Sequence, residues 1–175
     1  MEAKNEKQWK IWFFRLLSTL LCLLVFAWIF SNSLQTGEVS GARSEAVTDA
    51  LQGAVGAISP DSPIATAQGE AYESLHNFVR DLAHFSEFAL LGALLVWCYL
   101  SYTRSKAFAF LPVALVWFTP LVDEYLQSFV DGRGAELADV LVDTCGGFCG
   151  AAIAFLIFLT GLLFSKIKKR KKTEQ

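Results

Sequence analysis

The sequence has no CxxC pair, no cysteine–histidine zinc spacing and no HExxH. Structural zinc sites and zincin-type proteases are therefore excluded as readings. No serine or cysteine nucleophile motif occurs either, so nothing points to a covalent hydrolase. Its four cysteines, Cys22, Cys98, Cys145 and Cys149, all fall inside apolar runs. They read as small packing residues, the last two beside glycines. Apolar and polar residues do not alternate through those runs, which excludes a membrane β-barrel. Internal repeats and low-complexity segments are absent, apart from a basic stretch at the end. Histidine occurs only twice, at His76 and His84.

What the chain has in excess is apolar surface. Hydrophobic residues make up 54% of its 175 residues, with 15 Phe and 5 Trp among them. A single domain of this size has too little interior to hide that surface from water. Lipid is the fitting solvent, and spanning a bilayer takes roughly 20 mostly apolar residues. Four runs approach that length, at about 11–30, 85–102, 108–122 and 140–164. Backbone groups in lipid must be satisfied internally, so each run is expected to be a helix. The expected fold is all-α: one domain over 1–175, a four-transmembrane-helix bundle with a long outer segment between helices one and two. The first run is read as an uncleaved helix, because no clean small-x-small site follows it.

Charge gives an orientation. Lys4, Lys7, Lys10 and Arg15 precede or open the first run, Arg104 and Lys106 lie between the second and third, and KIKKRKK follows the fourth. Only Arg43, Arg80 and Arg133 are left for the opposite side. The positive-inside rule then places both termini in the cytoplasm of a multi-pass plasma-membrane protein. Of the 17 acids, Glu2, Glu6 and Glu174 alone fall at the cytoplasmic ends. The basic tail, 165–175, is a topology signal with affinity for anionic lipid. It adjoins a span, so a nucleic-acid partner is not expected.

Residues 31–84 make up the long outer segment. SNSLQTGEVS reads as a turn, and Val47, Leu51, Val55 and Ile58 at helical spacing predict a short amphipathic helix, with Ser44 as its N-cap. Pro60 and Pro63 break the chain. A second helical stretch from about Ala65 leads into the next run. His76 there reads as a surface residue.

The polar residues that border the runs are harder to explain as surface. His84 and Glu87 share a helix face with Arg80 one turn earlier. Acids at a helix C-terminus oppose the dipole, so Asp123 and Glu124 call for a compensating cation, and Gln127 lies beside either acid if the helix continues. DGRG places Arg133 at the tip of a tight turn, and arginine is shaped to grip a carboxylate or phosphate at two points. Asp139 and Asp143 lie one turn apart where the last run opens. Gly146 and Gly150 form a GxxxG that favours close helix packing. Three runs carry polar groups at the same level, which implies a shared outward-facing pocket.

These residues also carry a resemblance. HFSEF at 84–88, DEYLQ at 123–127, GR at 132–133 and DVLVDTCGG at 139–147 resemble the VanZ-like family, small bacterial membrane proteins named after a teicoplanin resistance factor. FSNS after the first run extends the likeness, which covers about Phe30 to Phe164. Asp81, Phe88 and Asp143 depart from the family pattern, where a basic residue, tyrosine and asparagine are common. The resemblance implies a cell-envelope role and a contribution to glycopeptide (teicoplanin-type) antibiotic resistance.

Three functions stay open from the residues. One is an envelope protein whose pocket binds a cell-wall precursor or lipid-linked ligand through Arg80, Asp123, Glu124, Gln127, Arg133, Asp139 and Asp143. Another is a membrane-embedded enzyme on a lipid-linked phosphate or ester, with His84 or Glu87 as general acid or base. Asp123, Glu124 and Asp139 would then hold a divalent cation, the one cofactor the acids point to. The third is a transporter, which the dry inner half of the spans disfavours.

Overall fold

The computed structural model describes residues 2–103 and 105–173. Arg104 and Glu174, and the side chains of Glu2, Lys4, Lys7, Lys106, Lys169 and Lys172, all used in the charge map, lie outside the described residues. The regular structure of the described residues is all helical: α1 (Glu2–Ser33), α2 (Gly37–Ile58), α3 (Glu70–Tyr102), a short 3-10 turn (Lys106–Phe108), α4 (Phe110–Gln127) and α5 (Leu137–Thr173). Three helices are long and apolar enough to cross a membrane, over Gln8–Ser33, Glu70–Tyr102 and Leu137–Lys168. The third apolar run belongs to α4, which has 18 residues and ends in the polar DEYLQ.

Several boundaries differ from the sequence reading. The 31–84 region carries two helical stretches, as expected, α2 and the start of α3, joined by turns around Pro60 and Pro63. Helix α2 begins two turns earlier than expected, capped by Thr36, whose Oγ1 accepts from the Val39 amide at 3.4 Å. Ser44 lies inside that helix and donates back to the Ser40 and Gly41 carbonyls. Helix α3 starts at Glu70, with Glu70 and Glu73 in its first turn, where acids suit the helix dipole. Helix α4 runs on past Pro120 through Gln127, because the polar face of its last turns is buried. The basic stretch after residue 164 continues α5 instead of leaving it.

Helix α3 contacts all four other helices. Its partner α1 packs antiparallel to it. Arg15, near the start of α1, donates to the Ser101 and Tyr102 carbonyls at the end of α3, at 3.0 and 3.4 Å. A cation at a helix C-terminus satisfies orphan carbonyls and suits the dipole. The apolar core between them holds Cys22, Val25, Ile29, Phe88, Leu91, Leu94 and Leu95, with Val116 from α4.

Helices α3 and α5 meet backbone to backbone. A Cβ on Gly150 would lie 1.7 Å from the Ala89 carbonyl oxygen, and one on Gly146 would lie 2.3 Å from that of Phe85. On the facing side, a Cβ on Gly92 would lie 2.0 Å from the Gly147 oxygen. The GxxxG of α5 is thus a packing surface, as its spacing implied. Cys145 and Cys149 are exposed, not packed beside those glycines.

A methyl group at this contact must force the helices apart. Gly150→Ala is expected to destabilise the protein by about 1–3 kcal/mol. Gly161→Ala, at a site with open space around it, serves as the control and should cost nothing. Thermal unfolding in detergent measures both. Equal melting of the two variants would contradict the close approach.

Candidate functional site

The polar side chains of α3 are not paired with one another. Each reaches another helix, α5 or α1. Arg80 donates to Asp139 of α5 at 2.7 Å. His84 Nδ1 faces Asp143 Oδ1 of α5 at 3.6 Å, too long for a hydrogen bond. Glu87 accepts from Asn32 of α1 at 2.9 Å. One helical face therefore ties α3 to α5 and α1 at successive turns.

Helix α4 brings the acids of DEYLQ to the same level. Asp123 is fully buried. Gln127 Nε2, one turn on, donates to its Oδ2 at 2.8 Å, and Ser33 of α1 donates to its Oδ1. The continuation of α4 thus settles which acid Gln127 serves. Glu124 is buried as well, but its Oε2 turns toward the Glu136 amide at 2.8 Å, and its Oε1 has no partner.

The centre of the arrangement is the trio His84, Asp123 and Asp143. One ligand atom from each lies within 4.8 Å of the other two. Asp143 is fully buried, and neither of its oxygens has a hydrogen-bond partner; the same holds for His84 Nδ1 and for Thr144 Oγ1. The cation set expected from sequence, Asp123, Glu124 and Asp139, does not assemble. Glu124 is taken by a backbone amide and Asp139 by Arg80. His84 and Asp143 stand in their places beside Asp123.

A cavity of about 560 Å³ reaches the trio at His84. Trp28 and Asn32 of α1, Arg43, Ser44, Val47 and Leu51 of α2, and Val79, Arg80, Ala83, His84 and Glu87 of α3 line it, together with Arg133. A smaller polar cavity of about 170 Å³ adjoins it, lined by Ser44, His76, Arg80, Gln127, Arg133 and Glu136 among others. His76, read from sequence as a surface residue, is part-buried here and bonds Ser44 Oγ through Nε2 at 2.6 Å.

Arg133 owes its place to two glycines. Gly132 adopts a φ of +73°, a left-handed conformation that favours glycine. The turn then lies against the start of α2, where the Gly37 amide donates to the Asp131 carbonyl at 3.0 Å. A Cβ on Gly37 would fall 2.2 Å from the Gly132 oxygen, so no larger residue fits there. The Arg133 guanidinium is half-buried and makes no hydrogen bond or ion pair among the described residues. Burial, and then the neighbouring Arg80, lower its pKa from the ordinary value, while Asp123, Glu124 and Asp139 oppose that shift. Arginine keeps its charge under such shifts, so a half-buried cation is left facing the cavity.

Asn32 and Ser33 were missing from the residues picked by spacing. SNSLQTGEVS reads as a turn from its sequence, whereas residues 31–33 form the last turn of α1. As two polar residues closing a long apolar helix, they are indistinguishable in sequence from a helix end.

The two donors on Asp123 give a direct check. Ser33→Ala and Gln127→Leu are each expected to destabilise the protein by about 1–2 kcal/mol, since each leaves a buried carboxylate oxygen without its donor. Thr160→Ala, on the exposed side of α5, should be silent. Unfolding in detergent that ranks all three alike would show that Asp123 is not held in this way.

Comparison with known proteins gives one match. The VanZ/LLP1 family model matches residues 18–159. No curated protein and no solved structure matches the chain.

Proposed function

The chain belongs to the VanZ-like family, and on that premise we propose that it is a multi-pass plasma-membrane protein whose outward-facing cavity holds an anionic, lipid-linked ligand of the cell envelope. Helices α1, α3 and α5 cross the bilayer. Helix α4 crosses with them: its 18 residues extend about 27 Å, close to the ~30 Å of a hydrocarbon core. Its buried acids face other helices rather than lipid, as ionisable groups inside a bilayer must. The uneven spread of Lys and Arg supports cytoplasmic termini, with α2 and the α4–α5 turn outside.

The observation that carries this reading is the convergence of three arginines. Arg43, Arg80 and Arg133 are the only Lys or Arg residues assigned to the outer side, and all three line the same cavity. Trp28, Val47, Leu51 and Val79 give that cavity an apolar wall. Cations beside a greasy wall suit an amphiphile with a phosphate-like head. Glycopeptide resistance, the role implied by the family resemblance, fits a protein that binds or alters such an envelope component.

A membrane-embedded enzyme is the second reading. His84 and Glu87 line the cavity that holds the arginines, within reach of a bound headgroup as acid or base. A transporter is less well supported. The groove between α3 and α5 further along, about 520 Å³, is lined by Leu90, Leu94, Trp97, Ile157 and similar residues, with no ionisable side chain.

Two measurements test the proposal. In nanodiscs, binding of a polyprenyl phosphate should weaken about tenfold in Arg133→Lys, because the ammonium keeps the charge but loses the two-point grip. Unchanged binding would count against the arginine cavity. In cells, deletion should raise teicoplanin susceptibility, and Glu87→Gln should fail to restore resistance; no change in either strain would remove the resistance role. Topology has its own check. A cysteine placed at Ser62 should react with an impermeant maleimide in intact cells, and one at Lys168 should not.

A further inference from the structure

We propose that His84, Asp123 and Asp143 form a binding site for one divalent transition cation of the Zn²⁺ or Mn²⁺ type. The three residues come from three helices, α3, α4 and α5, and offer one nitrogen and two carboxylates. Two ligands each ~2.1 Å from one ion can be no more than ~4.2 Å apart. The present separations, all within 4.8 Å, close to that value by small side-chain rotations.

The unpaired atoms indicate what fills the space. Asp143 is fully buried with both oxygens lacking a donor, and His84 Nδ1 beside it lacks a partner too. A buried carboxylate left in this state costs several kcal/mol. A proton shared between His84 and Asp143, now 3.6 Å apart, is the competing explanation, but it would still leave the second Asp143 oxygen without a partner. A cation placed among the three would engage all of these atoms at once. Two carboxylates also balance its double charge, so the site would carry no net charge inside the bundle.

The remaining contacts match those around a metal ligand. Ser33 and Gln127 hold the Asp123 carboxylate in place from outside the trio. Such supporting hydrogen bonds orient ligands and tune affinity. A mixed nitrogen and oxygen set favours Zn²⁺ or Mn²⁺ over Mg²⁺ and Ca²⁺, which prefer oxygen alone. Three protein ligands leave coordination positions open. His84 also lines the arginine cavity, so an open position there would meet a phosphate oxygen or a water. That last step rests on the proposed anionic ligand, whereas the cation site stands without it.

The test uses the full chain in detergent, with its affinity tag removed and metals stripped by chelator. Zn²⁺ and Mn²⁺ are titrated separately by calorimetry, with Mg²⁺ and Ca²⁺ for comparison. One ion per chain is expected for Zn²⁺ or Mn²⁺, with a matching rise in melting temperature. Asp143→Asn and Asp123→Asn should each weaken it about tenfold or more. Glu124→Gln and Arg133→Lys should leave it unchanged. No saturable binding of either ion, or equal affinity in Asp143→Asn, overturns the site. An unmutated protein whose melting temperature neither ion raises, but which Asp143→Asn destabilises, does so as well and assigns the pair to a shared proton. A protein that binds the ion but not polyprenyl phosphate keeps the cation site and refutes only the lipid-ligand reading.

Discussion

The close approach of α3 and α5 is the constraint on which the site depends. Gly146 and Gly150 present bare backbone to the Phe85 and Ala89 carbonyls, and Gly92 does the same for Gly147. In lipid no hydrophobic effect drives helices together, so van der Waals contact between surfaces of small residues does much of the work. The same contact sets register. With Gly146 opposite Phe85, the turn before it places Asp143 beside His84, and another turn back places Asp139 beside Arg80.

That register turns a costly set of charges into an interlocked one. Ionisable groups within a bundle persist when each finds a partner in the protein. Here the partners come from different helices: Asn32 and Ser33 from α1 serve Glu87 and Asp123, and Asp139 from α5 serves Arg80. The polar contacts therefore specify how four helices meet, which an apolar seam alone would leave loose. Asp143 and Arg133 stand outside this pairing. One is a buried carboxyl group without a hydrogen-bond partner, the other a half-buried cation without an acceptor among the described residues, and Arg133 lines both cavities.

Much of the site was legible because its residues are chemically out of place. His84, Glu87, Asp123 and Asp143 border apolar runs where charge is expensive, and their helical spacing put each on one face. Partnerships were less legible. Arg80, His84 and Glu87 are near enough in sequence to satisfy one another, yet each turns to another helix. Glu124 and Asp139 matched Asp123 as cation ligands by residue type, yet a backbone amide and a guanidinium occupy them. Asn32 and Ser33 gave no signal, since polar residues at a helix end are ordinary.

By itself the sequence determined the helical class, because long continuous apolar runs in lipid can satisfy their backbones only internally. It also determined the uneven distribution of charge, which is a property of composition along the chain. Which acids meet which cations was decided by tertiary structure alone. Side-chain hydrogen bonds act over about 3 Å, so a helix rotation of a few tens of degrees replaces one partner with another. That rotation is set by where glycine backbones fit together, a property of two helices that neither run of sequence contains.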